Sequence, residues 1–297
     1  MRNLTKRYGA VTALDAISLT VGQGEIYGFL GPNGAGKTTT IRTLLGFVRP
    51  TAGTSALFGH DCWRDGVAAR RELGFLTTAD TLYPDMSGAS LLDYAATLSR
   101  RPPTLRPHLL EALELSAAAL ARPIRGYSKG MKQKLALTAC MQTNSRLLIL
   151  DEPTDGLDPL MQRAFDDVII ELRQQGTTIF MSSHDLAEVE RLCQRVAIIR
   201  AGKIVAEAAI SELTARQQRM VEVQFAGAAP SDLTAPGVSV TQRDDTTLHL
   251  TVRGNLHPLL HALAARGDVA DVLISRPTLE QVFHEFYAPS EPAGPTR

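Results

Sequence analysis

Cysteine is scarce: Cys62, Cys140 and Cys193 are the only three in 297 residues. They lie far apart, are odd in number and form no C-x-x-C pair. That argues against a disulfide framework or a zinc site and fits a reducing cytosol. No apolar run approaches the ~20 residues of a membrane span, so a role at a membrane needs spans supplied by another chain. Met1-Arg2-Asn3-Leu4-Thr5-Lys6 lacks the apolar stretch of a signal peptide. Net charge is absent too: 31 Lys and Arg balance 31 Asp and Glu, which gives no bulk pull toward nucleic acid or anionic lipid.

The remaining composition, 44% hydrophobic and 21% charged, is that of a soluble globular protein. The length is too great for one ordinary domain and suits two.

The stretch that organises the chain is Gly31-Pro32-Asn33-Gly34-Ala35-Gly36-Lys37-Thr38. It fits G-x-x-x-x-G-K-[ST], the phosphate-cradling P-loop. Glu25 to Leu30 reads as a buried strand before it, and Thr39 to Leu45 as a helix after it. Gly31, Gly34 and Gly36 let the backbone approach a phosphate chain without a Cβ in the way. Their N–H groups form an anion nest at a helix N-terminus. Lys37 is expected to reach the β/γ-phosphates and Thr38 to sit on Mg²⁺. Such a loop points to a nucleotide without saying which machine uses it.

Residues 1 to about 24 read as strands and turns, with Ala16 to Val21 alternating like a half-buried strand. Asn3 to Tyr8 would ordinarily hang from a preceding strand, so either that strand is absent or the start lies upstream of Met1. Thr54 to Phe58 and Glu72 to Thr77 read as short strands. Ser87 to about Cys140 is helical, broken by Pro102, Pro103 and Pro107. Strands at 147–150, 177–182, 196–199 and 204–206 alternate with helices at 159–175 and after Leu186, as in a largely parallel sheet. Near Met220 the pattern turns to short alternating strands, a helix at 256–265, a strand at 272–274 and a helix at 278–287. A linker is expected at 212–220.

Asp151 ends the apolar run Leu147-Leu148-Ile149-Leu150, where a carboxylate can hold Mg²⁺ through water. Glu152, next in line, can take a proton from an attacking water. Without a P-loop the same pair would read as a turn or helix cap. His184 follows the next strand and can donate to a γ-phosphate, or else cap a helix in solvent. Ser183-His184-Asp185 is no hydrolase triad, because sequence neighbours do not face one another.

These pieces together resemble the nucleotide-binding subunit of an ATP-binding cassette (ABC) transporter. Tyr8, the P-loop, Tyr127-Ser128-Lys129-Gly130-Met131, Leu147 to Glu152, Thr154-Asp155-Gly156-Leu157-Asp158 and His184 occur in the family's order. The resemblance covers about residues 1–215. It implies ATP and Mg²⁺ as cofactors. Gly31, Pro32, Asn33, Gly34, Ala35, Gly36, Lys37, Thr38 and Thr39 would hold the phosphates, and Tyr8 would stack on adenine. Lys37, Glu152 and His184 would serve catalysis. It also implies a head-to-tail homodimer or pseudo-dimer, in which Ser128 and Gly130 contact the partner's γ-phosphate at a helix starting around Met131. Asp158 would belong to the loop coupling the two sites.

The implied fold is α/β: a P-loop sheet with N-terminal antiparallel β elements and a helical subdomain at about 86–140, within an ATP-binding domain 1–215. A small α+β accessory domain follows at 220–287, and a disordered tail at 288–297. Two departures from the family pattern stand out. The signature reads Tyr-Ser-Lys-Gly-Met rather than Leu-Ser-Gly-Gly-Gln, which adds the Lys129 charge. Thr78 stands where the family has a glutamine that touches Mg²⁺, so with Thr38 and Asp151 as metal ligands, Thr78 would couple to the metal more weakly.

Tyr27 to Leu30, Leu82-Tyr83-Pro84 and Gly130 to Lys134 resemble single-cassette bacterial exporters of drugs, antibiotics, ions or lipid-linked molecules. That implies an integral membrane permease on a separate chain and a place at the cytoplasmic face of the membrane, with no nucleic acid as partner. The C-terminal stretch Arg276 to Phe283 resembles the accessory domain of these exporters. The competing readings are a soluble ABC ATPase acting on ribosomes or nucleic acid, and a regulatory nucleotide-binding module with little hydrolysis.

Overall fold

The structure is a computed structural model that describes residues 1–76, 81–215, 219–231 and 233–275. Thr78, the helix expected at 278–287 and the tail at 288–297 lie outside the described residues. Two compact units are present, one spanning Met1–Ala209 and one beginning at Ile210.

The first unit opens with β1 (Arg2–Tyr8) and β2 (Val11–Ile17), an antiparallel hairpin that β4 (Ala52–Thr54) joins in a three-stranded sheet of order β2-β1-β4. The second strand runs Val11–Ile17, so Ala16 and Ile17 end it rather than begin a run to Val21, and Ala16 takes a positive φ of 50° at an irregularity in the pairing with β1. Between them come β3 (Ile26–Leu30) and α1 (Lys37–Leu44). A small hairpin of β5 (Ala56–Leu57) and β6 (His60–Asp61) follows, so the strand expected over 54–58 is divided. After α2 (Gly66–Ala69), β7 (Leu73–Leu76) forms the edge of the main sheet.

The helical lobe contains α3 (Gly88–Ser99), α4 (Arg106–Ala112), α5 (Ala117–Leu120) and α6 (Lys129–Met141). The Ser87 and Ser128 hydroxyls accept the N–H groups of Ser90 and Met131, satisfying orphan donors at the starts of α3 and α6. With Ser128 as cap, α6 begins at Lys129, two residues before the expected Met131. Leu91, Leu92, Leu115, Ile124, Tyr127 and Leu135 close this lobe around its own apolar cluster.

The chain then returns to the sheet through β8 (Leu147–Asp151), α7 (Pro159–Gln174), β9 (Thr178–Ser183), α8 (Leu186–Leu192), β10 (Arg195–Arg200) and β11 (Lys203–Ala209). The sheet order is β11-β10-β3-β9-β8-β7. All neighbours are parallel except the terminal β10–β11 hairpin. All five residues of β3 and all six of β9 are buried, as strands covered on both faces require. The core lies between the two sheets, where Leu4, Leu14 and Ile17 meet Phe29, Ile149 and Ile199.

The second unit starts with α9 (Ile210–Ala215) and β12 (Arg219–Phe225), so most of the stretch expected as linker is regular structure. β13 (Val238–Arg243), β14 (Thr247–Val252) and β15 (Val269–Ser275) complete an antiparallel sheet of order β13-β14-β12-β15. Alternate residues Val221, Val223 and Phe225 pack with Leu248, Leu250 and Val252 and with Leu259 and Leu263 of α10 (His257–Ala264).

Candidate functional site: a phosphate pocket at the carboxyl edge of the sheet

Parallel strands end on one edge, and ligands of open α/β sheets bind in the crevice beyond their carboxyl ends. The P-loop leaves β3, Asp151 closes β8, and Ser183-His184 closes β9, the strand between them. Residues more than a hundred positions apart thereby line a cavity of about 390 Å³ formed by Ala13, Pro32, Asn33, Gly34, Gly36, Lys37, Thr38, Thr39, Asp151, Glu152 and Asp155.

Gly36 precedes α1 with φ 115°, a conformation that other residues rarely adopt. It turns the loop so that Lys37 is the first residue of the helix. The Lys37 side chain is 6% exposed; its ammonium donates to the Gly31 carbonyl at 2.6 Å and lies 3.2 Å from Glu152 Oε1. Thr38 Oγ1 stands 3.5 Å from Asp151 Oδ2. These are two oxygen donors of the kind a hard divalent cation takes.

Asp151 Oδ1 accepts the hydroxyl of Ser182 at 2.5 Å; the two residues are register partners across β8 and β9. Glu152 has a φ of 50°, a left-handed conformation uncommon outside glycine and concentrated at functional sites. Its N–H is held by Ser182 at 3.2 Å, and its Oε2 pairs with His184 Nδ1. Glu152 is therefore gripped by Lys37 on one oxygen and by His184 on the other.

Behind this row, Glu188 of α8 is 2% exposed and accepts the Ser183 hydroxyl at 2.5 Å. Burial raises its pKa, opposed by hydrogen bonds from Ser183 and Thr154 and reinforced by Asp185 and Asp166. Asp158 caps α7 by accepting the N–H groups of Leu160 and Met161, both at 3.0 Å.

Of the residues singled out in the sequence, Pro32, Asn33, Gly34, Gly36, Lys37, Thr38, Thr39, Asp151 and Glu152 line the pocket, and His184 reaches it through Glu152. Tyr8 stands outside the lining, 48% exposed, with the Lys6 ammonium 4.8 Å from its ring centre. Ser128 and Gly130 also stand outside it, at the start of α6. Sequence reasoning missed Ser182 and Asp155. Ser182 was hidden in a buried strand, and its only signal is a hydroxyl at the end of an apolar run. Asp155 was part of the quoted loop but had no role.

A glycine-rich loop with a buried lysine, set beside the Thr38 and Asp151 oxygens and the Glu152 carboxylate, is the arrangement of a P-loop nucleoside triphosphatase. The family model described as ABC transporter matches residues 14–155. The chain is 36% identical to the daunorubicin resistance ATP-binding protein DrrA3 of Streptomyces coeruleorubidus, over 94% of this chain and 92% of that one. It is 36% identical to the Nod factor export ATP-binding protein I of Paraburkholderia xenovorans, over 94% and 93%. A solved ATP-binding subunit of an ABC transporter superimposes with a TM-score of 0.66 at 29% identity, covering 72% of this chain and 90% of the other. The chain belongs to the ABC transporter family and is one of its ATP-binding cassettes, an ATPase.

Proposed function

We propose that this chain is the energy-coupling subunit of a membrane exporter, hydrolysing ATP to drive a permease carried on a separate chain. The relatives named above are resistance and export proteins that match over nearly their whole length, which supports export and gives the ribosome or nucleic-acid alternative no footing. No helix among the described residues is long and apolar enough to cross a membrane; in this reading the spans belong to the permease, and this chain works at the cytoplasmic face of the membrane.

The observation that carries the catalytic assignment is Glu152, held between Lys37 and His184 at the mouth of the phosphate pocket. In this reading the P-loop amides and Lys37 bind the β- and γ-phosphates, and Glu152 accepts the proton of the attacking water. His184 orients Glu152 and donates to the γ-phosphate. Thr38 and Asp151 would hold Mg²⁺, with Ser182 fixing the Asp151 carboxylate. When bound, the ion neutralises charge on the β- and γ-oxygens. Ser128 and Gly130 serve the γ-phosphate of a second subunit, at the capped N-terminus of α6. Tyr8 stacks on adenine, and Thr78 takes the place of the metal-touching glutamine. The unit beginning at Ile210 serves dimer stabilisation or regulation.

The test is recovery of Glu152→Gln protein with ATP from membranes of its own cell. A co-purifying polytopic membrane protein is expected; ribosomes or DNA without one would overturn the exporter reading.

A further inference from the structure

We propose that Lys129 sets the nucleotide affinity of its own chain's phosphate pocket, acting through Asp155 rather than by touching the nucleotide. The inference rests on the pocket alone and not on the exporter role.

The described lining holds three carboxylates, Asp151, Glu152 and Asp155, against one ammonium, Lys37. Glu152 is paired with Lys37, and Asp151 is held by Ser182 beside Thr38. Asp155 takes its counter-charge from outside the lining: the Lys129 ammonium lies 2.9 Å from both of its carboxylate oxygens. An incoming polyphosphate carries several negative charges. A bare carboxylate on the pocket wall would repel it, and Lys129 cancels that charge.

The pairing is seated by its surroundings. The Lys129 stem lies across Gly156, where a Cβ would fall 3.0 Å from Cε and 3.1 Å from Cδ and Cγ. Gly156 takes a φ of 82°, so this position both turns the loop and leaves the groove that the stem fills. The Gln133 amide, on the same helix as Lys129, donates to the Pro153 carbonyl at 2.6 Å, which fixes the start of α6 against the 153–156 loop.

Both side chains are well exposed, Lys129 at 66% and Asp155 at 60%, and exposed ion pairs contribute little to folding. The consequence of the pair is therefore the local potential at the pocket, and it must fade with salt. The same geometry gives the unusual signature lysine a role within its own subunit.

The experiment is calorimetric titration of Mg²⁺-ADP at low and high salt. ADP has no γ-phosphate, so a second subunit's signature does not enter. Lys129→Met is expected to weaken ADP binding on the order of fivefold at low salt, and less at high salt. Lys129→Arg should bind like the parent. Asp155→Asn should bind at least as tightly as the parent, and Lys129→Met in the Asp155→Asn background should return to about the parental affinity, because neither charge is then present. Thermal melts of each variant separate a folding defect from an affinity change. A double variant that still binds as weakly as Lys129→Met alone would mean direct contact of Lys129 with the nucleotide and overturn the proposal. So would a low-salt affinity that Lys129→Met leaves unchanged.

Discussion

The ammonium of Lys37 lies 3.2 Å from Oε1 of Glu152 while donating to the carbonyl of Gly31 at 2.6 Å. The cation proposed for the phosphates and the carboxylate proposed for the water are thus within reach of one another. Replacing Lys37 by alanine removes a charge-assisted partner, and ATP affinity should fall by roughly ten- to a hundredfold. Fluorescent-nucleotide binding checks this, and parental affinity in the variant would refute it.

Glu152→Gln keeps the shape and the hydrogen-bonding reach of the side chain but cannot accept the proton. Turnover should drop on the order of a hundredfold or more, while ATP still binds and an ATP-dependent dimer accumulates on size-exclusion chromatography. A variant hydrolysing ATP at the parental rate would remove Glu152 from the role of base.

Ser182 holds the Asp151 carboxylate with its hydroxyl at 2.5 Å and receives the Glu152 N–H at 3.2 Å. Ser182→Ala frees Asp151 to rotate. The Mg²⁺ concentration for half-maximal activity should rise several-fold, while ATP affinity in the absence of metal stays near the parental value. Stability should fall by about 1–3 kcal/mol for the lost bond to a charged group. A Mg²⁺ titration that superimposes on the parent's would show that Ser182 does not position this carboxylate.

Two tasks fall on Ser128, capping α6 at 3.2 Å to the Met131 N–H and, in the proposed dimer, meeting a γ-phosphate. Ser128→Ala should lower stability by about 1 kcal/mol and abolish ATP-dependent dimerisation. Ser128→Asp should restore the cap, and with it the melting temperature, but not the dimer, because its carboxylate repels phosphate. Joint recovery of both properties in Ser128→Asp would show that capping was the whole contribution.

Burial raises the pKa of Glu188 above its ordinary 4.5, so the folded protein holds this proton to higher pH than the unfolded chain does. Its contribution to stability is fully present below 4.5 and is lost as pH rises through the raised value. Glu188→Gln retains a partner for Ser183 and cannot ionise. Its melting temperature should therefore gain on the parent's progressively as pH is raised from about 4.5 toward neutrality. A gap that stays constant across that range would contradict the raised value.

Much of this arrangement can be read along the chain because its causes are local. Glycine spacing announces the P-loop, and uninterrupted apolar runs announce β3 and β8. The Asp151-Glu152 pair is visible as charge at the end of a buried strand. One difference of boundary has a local cause too: the Ser128 cap starts α6 early. Ser182 and Glu188 were not legible, because a hydroxyl or carboxyl inside an apolar pattern gains meaning only from its neighbour on another element. The same holds for Lys129 and Asp155, 26 residues apart on two segments that no periodicity connects.

The sequence by itself determined the P-loop, the residues expected to hold a polyphosphate, and the extra positive charge at one signature position. Those properties belong to short segments whose backbone conformation is set by glycine, caps and hydrophobic runs. Only the tertiary structure decided that β9 lies between β3 and β8. That order brings Ser182 onto Asp151 and His184 onto Glu152, and the packing of α6 on the 153–156 loop brings Lys129 onto Asp155. The reason is that strand order and helix docking are set by packing across the whole core, and no single segment encodes them.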